Sequence, residues 1–196
     1  MQFEQQDLVA LAEAAGHDFN ADGPLVLAFR NEDNPGTWND WIIGLKKDTQ
    51  MAVVATVDPG KTVMDREGTG RFTTNVNGAA RIKYGFYPNF FYMGVHGGKA
   101  DHPCLRQAYA VPVQRYQDDT GEWKDFPPTV GSFNLHRASF HGNSSRVGNW
   151  SHGCLVVQNR LDHWRLLTWL GHPEHSPTKQ QVESMRWSLL LTRLQH

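Results

Sequence analysis

The sequence predicts a mainly β fold with peripheral helices, and two observations carry that prediction. From Trp38 to Val130, short apolar or aromatic runs alternate with turn chemistry, which is how strands are punctuated. Apolar residues at helical spacing stand out in two segments, Asp7 to Ala15 and Leu161 to Leu170. A third pointer is the aromatic content, since seven Trp, ten Phe and five Tyr suit a β-rich core or a lined groove. Hydrophobic residues at 39% and charged residues at 20% place the chain among globular sequences, not disordered ones. Its 196 residues are enough to bury a core without disulfides or a structural metal. With no repeat, low-complexity tract or linker in view, one domain over 1–196 is expected. It consists of an N-terminal helical cap over 1–20 and a core over 25–196.

The elements are justified in chain order. Leu8, Leu11, Ala12 and Ala15 fall on one helical face, and Gly16 stops the helix. Leu25 to Phe29 is an apolar run between Pro24 and a polar Asn31 to Gly36 turn, hence a strand. Trp41 to Leu45 and Met51 to Val57 are two more, the second closed by Asp58-Pro59-Gly60. Arg81 to Tyr87 reads as a strand ending at Pro88, and Gln107 to Tyr116 as a single long one. Asn75 to Gly78 and Asp118 to Gly121 carry turn residues, the acidic pair of the latter at a solvated tip. Ser132 to His136 is expected to be a strand that delivers His136 at its end, and Leu155-Val156-Val157 a short one. Leu161 to Leu170 is a helix stopped by Gly171, and Trp187 to Leu194 is read as a final strand. The aromatic run Phe86 to Tyr92 is assigned to the core, and Cys104 is read as a structural thiol.

Several function classes are excluded early. A net charge of −1 with no basic stripe leaves nothing to hold nucleic-acid phosphates. Two cysteines without Cys-x-x-Cys spacing build neither a disulfide framework nor a zinc ribbon. The first residues, Met1 to Asp7, lack the basic start and apolar run of a signal peptide. No stretch approaches the roughly 20 apolar residues of a membrane span. The expectation is a soluble protein, cytoplasmic as synthesised, with no membrane insertion, that reaches any outside target by another route.

The chemistry-bearing region is Asn134-Leu135-His136-Arg137 together with Trp150-Ser151-His152-Gly153-Cys154. A cysteine is a nucleophile as its thiolate, and a neighbouring imidazole can take the proton. Three imidazoles lie within reach in sequence: His136, His141 and His152. Gly153, just before the cysteine, lets backbone N–H groups approach a developing oxyanion. Such a pair titrates as a unit, so kcat/KM is expected to show an ionisation of the coupled system between pH 5 and 9.

This arrangement resembles the L,D-transpeptidase (YkuD-like) catalytic domain, whose motif is a His, a spacer and then Ser/Thr-His-Gly-Cys. Here fourteen residues, Arg137 to Trp150, separate His136 from Ser151-His152-Gly153-Cys154. The resemblance implies an L,D-transpeptidase-type β-sandwich with Cys154 as nucleophile and His136 as general base. It also implies that the Arg137 carbonyl orients the imidazole and that His152 and Gly153 shape the loop. The Cys154 and Gly153 amides would form the oxyanion hole, and Ser151 would anchor the loop. His141, Trp150 and Arg146 are candidates for contacting substrate beside Ser151. The implied partner is peptidoglycan stem peptide, and no cofactor or metal is called for. One departure follows the cysteine, where Val156 stands in place of a usual polar residue. Arg137, Arg146, Gln158 or Arg160 could replace it.

Weaker likenesses at Thr56 to Gly60, Asn75 to Ala79, Asn134 to Ala138 and Val147 to Trp150 suggest a phage- and bacterium-encoded, endolysin-like branch. That branch favours hydrolysis over cross-linking. Two other classes remain open at this point. One is a cell-wall-binding or virion structural module that keeps the fold without catalysis. The other is a zinc hydrolase built from the histidines and Cys154, though no His-x-x-x-His pair supports it.

Overall fold

The computed structural model describes residues 3–65, 77–98, 101–117, 119–172 and 185–194. The chain is mainly β. After helix α1 (Gln5–Ala14) come strands β1 (Leu25–Arg30), β2 (Asp40–Leu45) and β3 (Gln50–Thr56), then a short helix α2 (Lys61–Met64). Strands β4 (Ala80–Ile82), β5 (Gly85–Val95), β6 (Pro103–Gln107), β7 (Val111–Gln117) and β8 (Glu122–Thr129) follow. The last elements are β9 (Leu135–Arg137), β10 (Leu155–Val157), α3 (Arg160–Trp169) and β11 (Arg186–Arg193).

Eight strands close into a barrel in the order β1-β11-β5-β6-β9-β10-β3-β2, and β4-β7-β8 form a separate three-stranded sheet. The mainly β expectation holds, and the eight strands form one sheet that closes on itself and leaves no unpaired edge among them, an arrangement that does not confirm the sandwich implied by the resemblance. Two parallel pairings occur in the barrel. One is β1 with β11, joining the first and last strands, and the other is β9 with β10. The second places the two halves of the candidate site side by side.

All six residues of β1 are buried, because both of its faces are covered. Val26 and Ala28 join the main core with Ile42, Phe91, Met93, Leu135, Leu155 and Leu189. Leu25, Leu27 and Phe29 face the other way, onto Leu8 and Ala12 of α1. Helix α3 contributes Leu166, Leu167 and Leu170 to the main core, and Trp187 Nε1 donates to the Leu170 carbonyl at 3.1 Å. Gly44 on β2 must lack a side chain, since a Cβ there would sit 2.8 Å from the Trp169 ring.

The barrel also buries charge. Arg30 and Asp58 are wholly enclosed, with Nε and Oδ1 2.9 Å apart. Arg30 Nη2 donates to the carbonyls of Ile82 and Val57 at 2.9 and 3.3 Å. Asp40 accepts from the N–H groups of Val57 and Asn31, both at 2.7 Å. These bonds tie the start of β2 to the turn after β3, and that turn supports the site loop.

Four strand expectations change. The run expected over Arg81 to Tyr87 is two strands in different sheets, parted before Gly85. Strand β5 continues through Pro88, because a register shift between Trp187 and Leu189 bulges β5 there and the missing proline donor breaks no ladder bond. Asn89, at φ 52°, gives its N–H to Ser188 Oγ instead. The run over Gln107 to Tyr116 divides into β6 and β7, again in different sheets; the Gln107 amide bonds the Tyr109 and Thr129 carbonyls at the division. The strand expected over Ser132 to His136 is formed only from Leu135, since Ser132 has φ 57°. The turns at Asn75 to Gly78 and Asp118 to Gly121 lie partly outside the described residues, at Asn75, Val76 and Asp118. No helix among the described residues is long and apolar enough to cross a membrane.

Candidate active site

His136 is the middle residue of β9 and is 2% exposed. Its partner in the parallel pairing is Val156 of β10, and Leu135 pairs with Leu155. Leu135, Leu155 and Val157 belong to the main core. By the two-residue alternation of strands, His136 and Val156 therefore face away from it. Cys154 immediately precedes β10. Its Cα lies about 8 Å from that of His136, reckoned as one strand across and two residues along.

The imidazole is held by one short bond, with Nδ1 of His136 donating to the Arg137 carbonyl at 2.8 Å. In the tautomer that this bond selects, the lone pair sits on Nε2. That atom is buried and has no hydrogen-bond partner among the described residues. Burial, followed by the nearby His96, holds this imidazole well below the ordinary histidine range. His96 stacks on it with ring centroids 3.9 Å apart and an interplanar angle of 23°, and His102 meets it edge-on at 5.5 Å. His102 is pushed down to about 4 by burial and then by Arg137 and His96. His163 of α3 is pushed down to about 3 by burial and then by His102 and Arg137.

Cys154 is half-buried, and its Sγ donates to the Ser132 carbonyl at 3.3 Å. Burial pushes its thiol up to about 11, partly offset by a hydrogen bond from the Asn134 backbone. Cys104 is a separate, fully buried free thiol, pushed up to about 12 by burial.

The loop before the cysteine is built from its own polar atoms. Ser151, fully buried, accepts from Gly153 N–H at 3.2 Å and donates to the Cys154 carbonyl at 2.9 Å. Its own carbonyl accepts from Gly60 N–H at 2.9 Å. Gly60 lies so close to the loop that a Cβ would fall 1.8 Å from the Gly148 oxygen. Gly153 combines φ 127° with an approach to Ala80, where a Cβ would fall 2.3 Å from the carbonyl oxygen; only glycine fits. Its N–H is engaged by Ser151, so in this geometry it is not free to serve an oxyanion as the resemblance implies. His152 is half-buried, and burial lowers its pKa.

The remaining candidates stand apart. His141 is exposed, with its backbone N–H on Ser139 Oγ at 3.0 Å. Trp150 is exposed at the end of a 3-10 turn. Arg146 lines a cleft of about 550 Å³ with Trp38, Lys61 and Thr62. The side chain of Arg137, 4% exposed, reaches the Asp101 carbonyl at 3.3 Å and stacks over Phe140. Gln158 and Arg160 donate to the Ser144 and Phe140 carbonyls, so both brace the loop after β9. Val156 is fully buried beside His136.

Spacing did not single out His102, His163 or Ser132, which gather here from the residue before β6, from α3 and from the irregular segment before β9. No group of three or more His, Cys, Asp or Glu side chains among the described residues is placed to hold a metal ion, so the zinc alternative finds no ligand set there. Stacking sets His96 and His136 face to face, which does not converge their nitrogens on a common point. No family model, no curated protein and no solved structure matches this chain.

Proposed function

We propose that the protein is an L,D-transpeptidase-like cysteine enzyme acting on peptidoglycan stem peptides, with Cys154 as nucleophile and His136 as base. One observation carries the reading. The Nδ1–H of His136 is committed to the Arg137 carbonyl, which leaves a buried Nε2 lone pair on the strand beside the Cys154 loop. This is the tautomer and restraint that a general base needs.

In the proposed reaction, Sγ leaves the Ser132 carbonyl and attacks the carbonyl carbon between an L-centre and a D-residue. Its proton passes to His136 Nε2. The oxyanion is stabilised by the Cys154 backbone N–H, a contact worth a few kcal/mol of barrier, and by the Gly153 N–H only once it leaves Ser151 Oγ. Collapse of the adduct breaks the C–N bond, the amine takes the proton from His136, and a thioester to Cys154 remains. Water then releases a carboxylate and restores the thiol, and an acceptor amine would instead form a new peptide bond. We favour water, on the endolysin-like segments that include Thr56 to Gly60 and Val147 to Trp150. In the structure these two segments pack against each other at Gly60 and Gly148.

The test uses wild-type and Cys154→Ala protein with purified sacculi and defined tetrapeptide muropeptides, read by mass spectrometry. Product from wild type alone is expected, with masses that report hydrolysis. Product from both proteins would remove Cys154 from the mechanism. No product from either would favour a non-catalytic wall-binding module.

A further inference from the structure

A second pocket, of about 240 Å³, opens where β9 ends against the first turn of α3. Arg137, Arg160, His163, Leu161, Trp164 and Asp101 line it. Its chemistry is set by Arg137, whose residue is 4% exposed. Nη2 of this guanidinium has a partner in the Asp101 carbonyl, but Nη1 is buried without any hydrogen-bond partner among the described residues. No carboxylate among those residues lies within ion-pair distance of it. The guanidinium face rests on the Phe140 ring, 3.7 Å from its centroid, but the buried Nη1 donor is left unsatisfied, which is costly, and an anion that reaches Nη1 removes that cost.

The surroundings narrow the ligand. Arg160 adds a second positive charge, close enough to push the Arg137 pKa down after burial has done so. The N-terminal end of α3 adds its dipole field, although Asn159 already caps the N–H groups of Leu161 and Asp162. His163 Nε2 is buried and without a partner among the described residues. Asp101 at the rim disfavours a doubly charged ligand. Leu161 and Trp164 present apolar walls, which suit a short hydrocarbon stub.

We propose that this pocket binds a monocarboxylate, with one oxygen on Arg137 Nη1 and Arg160 drawing the charge in. The site does not require Cys154 to be a nucleophile. Its ligand is either a free small carboxylate or a carboxylate carried by a stem peptide, and both present the same group.

Propionate and its neutral isostere propionamide are titrated into the full chain and followed by NMR, with the Trp164 indole N–H as reporter. Saturable shifts with propionate and none with propionamide are expected. Binding should be lost in Arg137→Gln and weakened about tenfold in Arg160→Gln, a fold-change of ordinary size for one charged contact. Arg160 is exposed, so its variant tests the site even where Arg137→Gln fails to fold. Equal binding of propionamide, no binding of propionate, or unchanged affinity in Arg160→Gln would overturn the proposal. Propionate displaced by a muropeptide in Cys154→Ala protein assigns the carboxylate to substrate. Simultaneous binding assigns it to a separate small molecule.

Discussion

Cys154 and His136 are both driven toward their neutral forms, the thiol up to about 11 and the imidazole well below its ordinary range. Burial is the first cause in each case, because it penalises whichever form is charged. Both shifts favour thiol and imidazole over an ion pair in the resting site. This moves the acid limb below the ordinary histidine range and the alkaline limb up toward about 11. Titration of thiolate absorbance near 240 nm, against a Cys154→Ser control, should show no Cys154 thiolate at neutral pH and its appearance only toward pH 11. A thiolate already present at pH 7 would contradict this account and restore the ion-pair picture.

Short connections, not long elements, position the loop. The turn after β3 is held by the buried bonds of Asp40 and Asp58, and its Gly60 both donates to Ser151 and touches Gly148. Gly60→Ala would force a methyl into the Gly148 carbonyl, so one of the two segments must move. We expect a loss of about 1–3 kcal/mol, in the range of core overpacking, together with faster proteolysis within 145–150 and reduced turnover. Equal melting temperature and cleavage rate in the variant would show that the two segments are not coupled.

At the scale of the whole molecule, the buried histidines give stability a direction in pH. His163 and His102 are lowered to about 3 and 4, so their contribution is fully present above the ordinary histidine pKa. It drains away as pH falls toward those values, because the unfolded chain takes up the protons first. Asp40 has the opposite sign. It is raised to about 7, chiefly by burial and then by Asp58, so its contribution is present below its unfolded pKa and lost as pH rises through 7. With His136 and the half-buried His152 also lowered, four histidines oppose one carboxyl. The unfolding free energy should therefore fall from pH 7 to pH 4 by an amount on the order of several kcal/mol, and denaturant midpoints should fall with it. A midpoint that rose over that range would mean that Asp40 dominates.

Local sequence by itself determined the strands with continuous apolar runs, the two long helices and the Ser151 to Cys154 loop. In each the deciding physics lies within a few residues: strand alternation, helical spacing, or a glycine at a tight approach. The same locality made His136 and Cys154 legible as candidates, since a proposed base and nucleophile in one motif need no knowledge of the rest of the chain. Only tertiary structure decided the barrel closure, the bulge that carries β5 through Pro88 and the division of the Gln107 to Tyr116 run. Those depend on which strand lies alongside, and β1 and β11 stand far apart in sequence. His102 and His163 were hidden for the same reason, as they come from the residue before β6 and from α3 and meet only when the barrel closes; His96, in a His-Gly-Gly stretch that reads equally as a turn or a groove wall, was only half legible. So was the second use of Arg137, whose carbonyl follows from the motif but whose buried Nη1, without a partner among the described residues, is defined by the pocket that α3 lines.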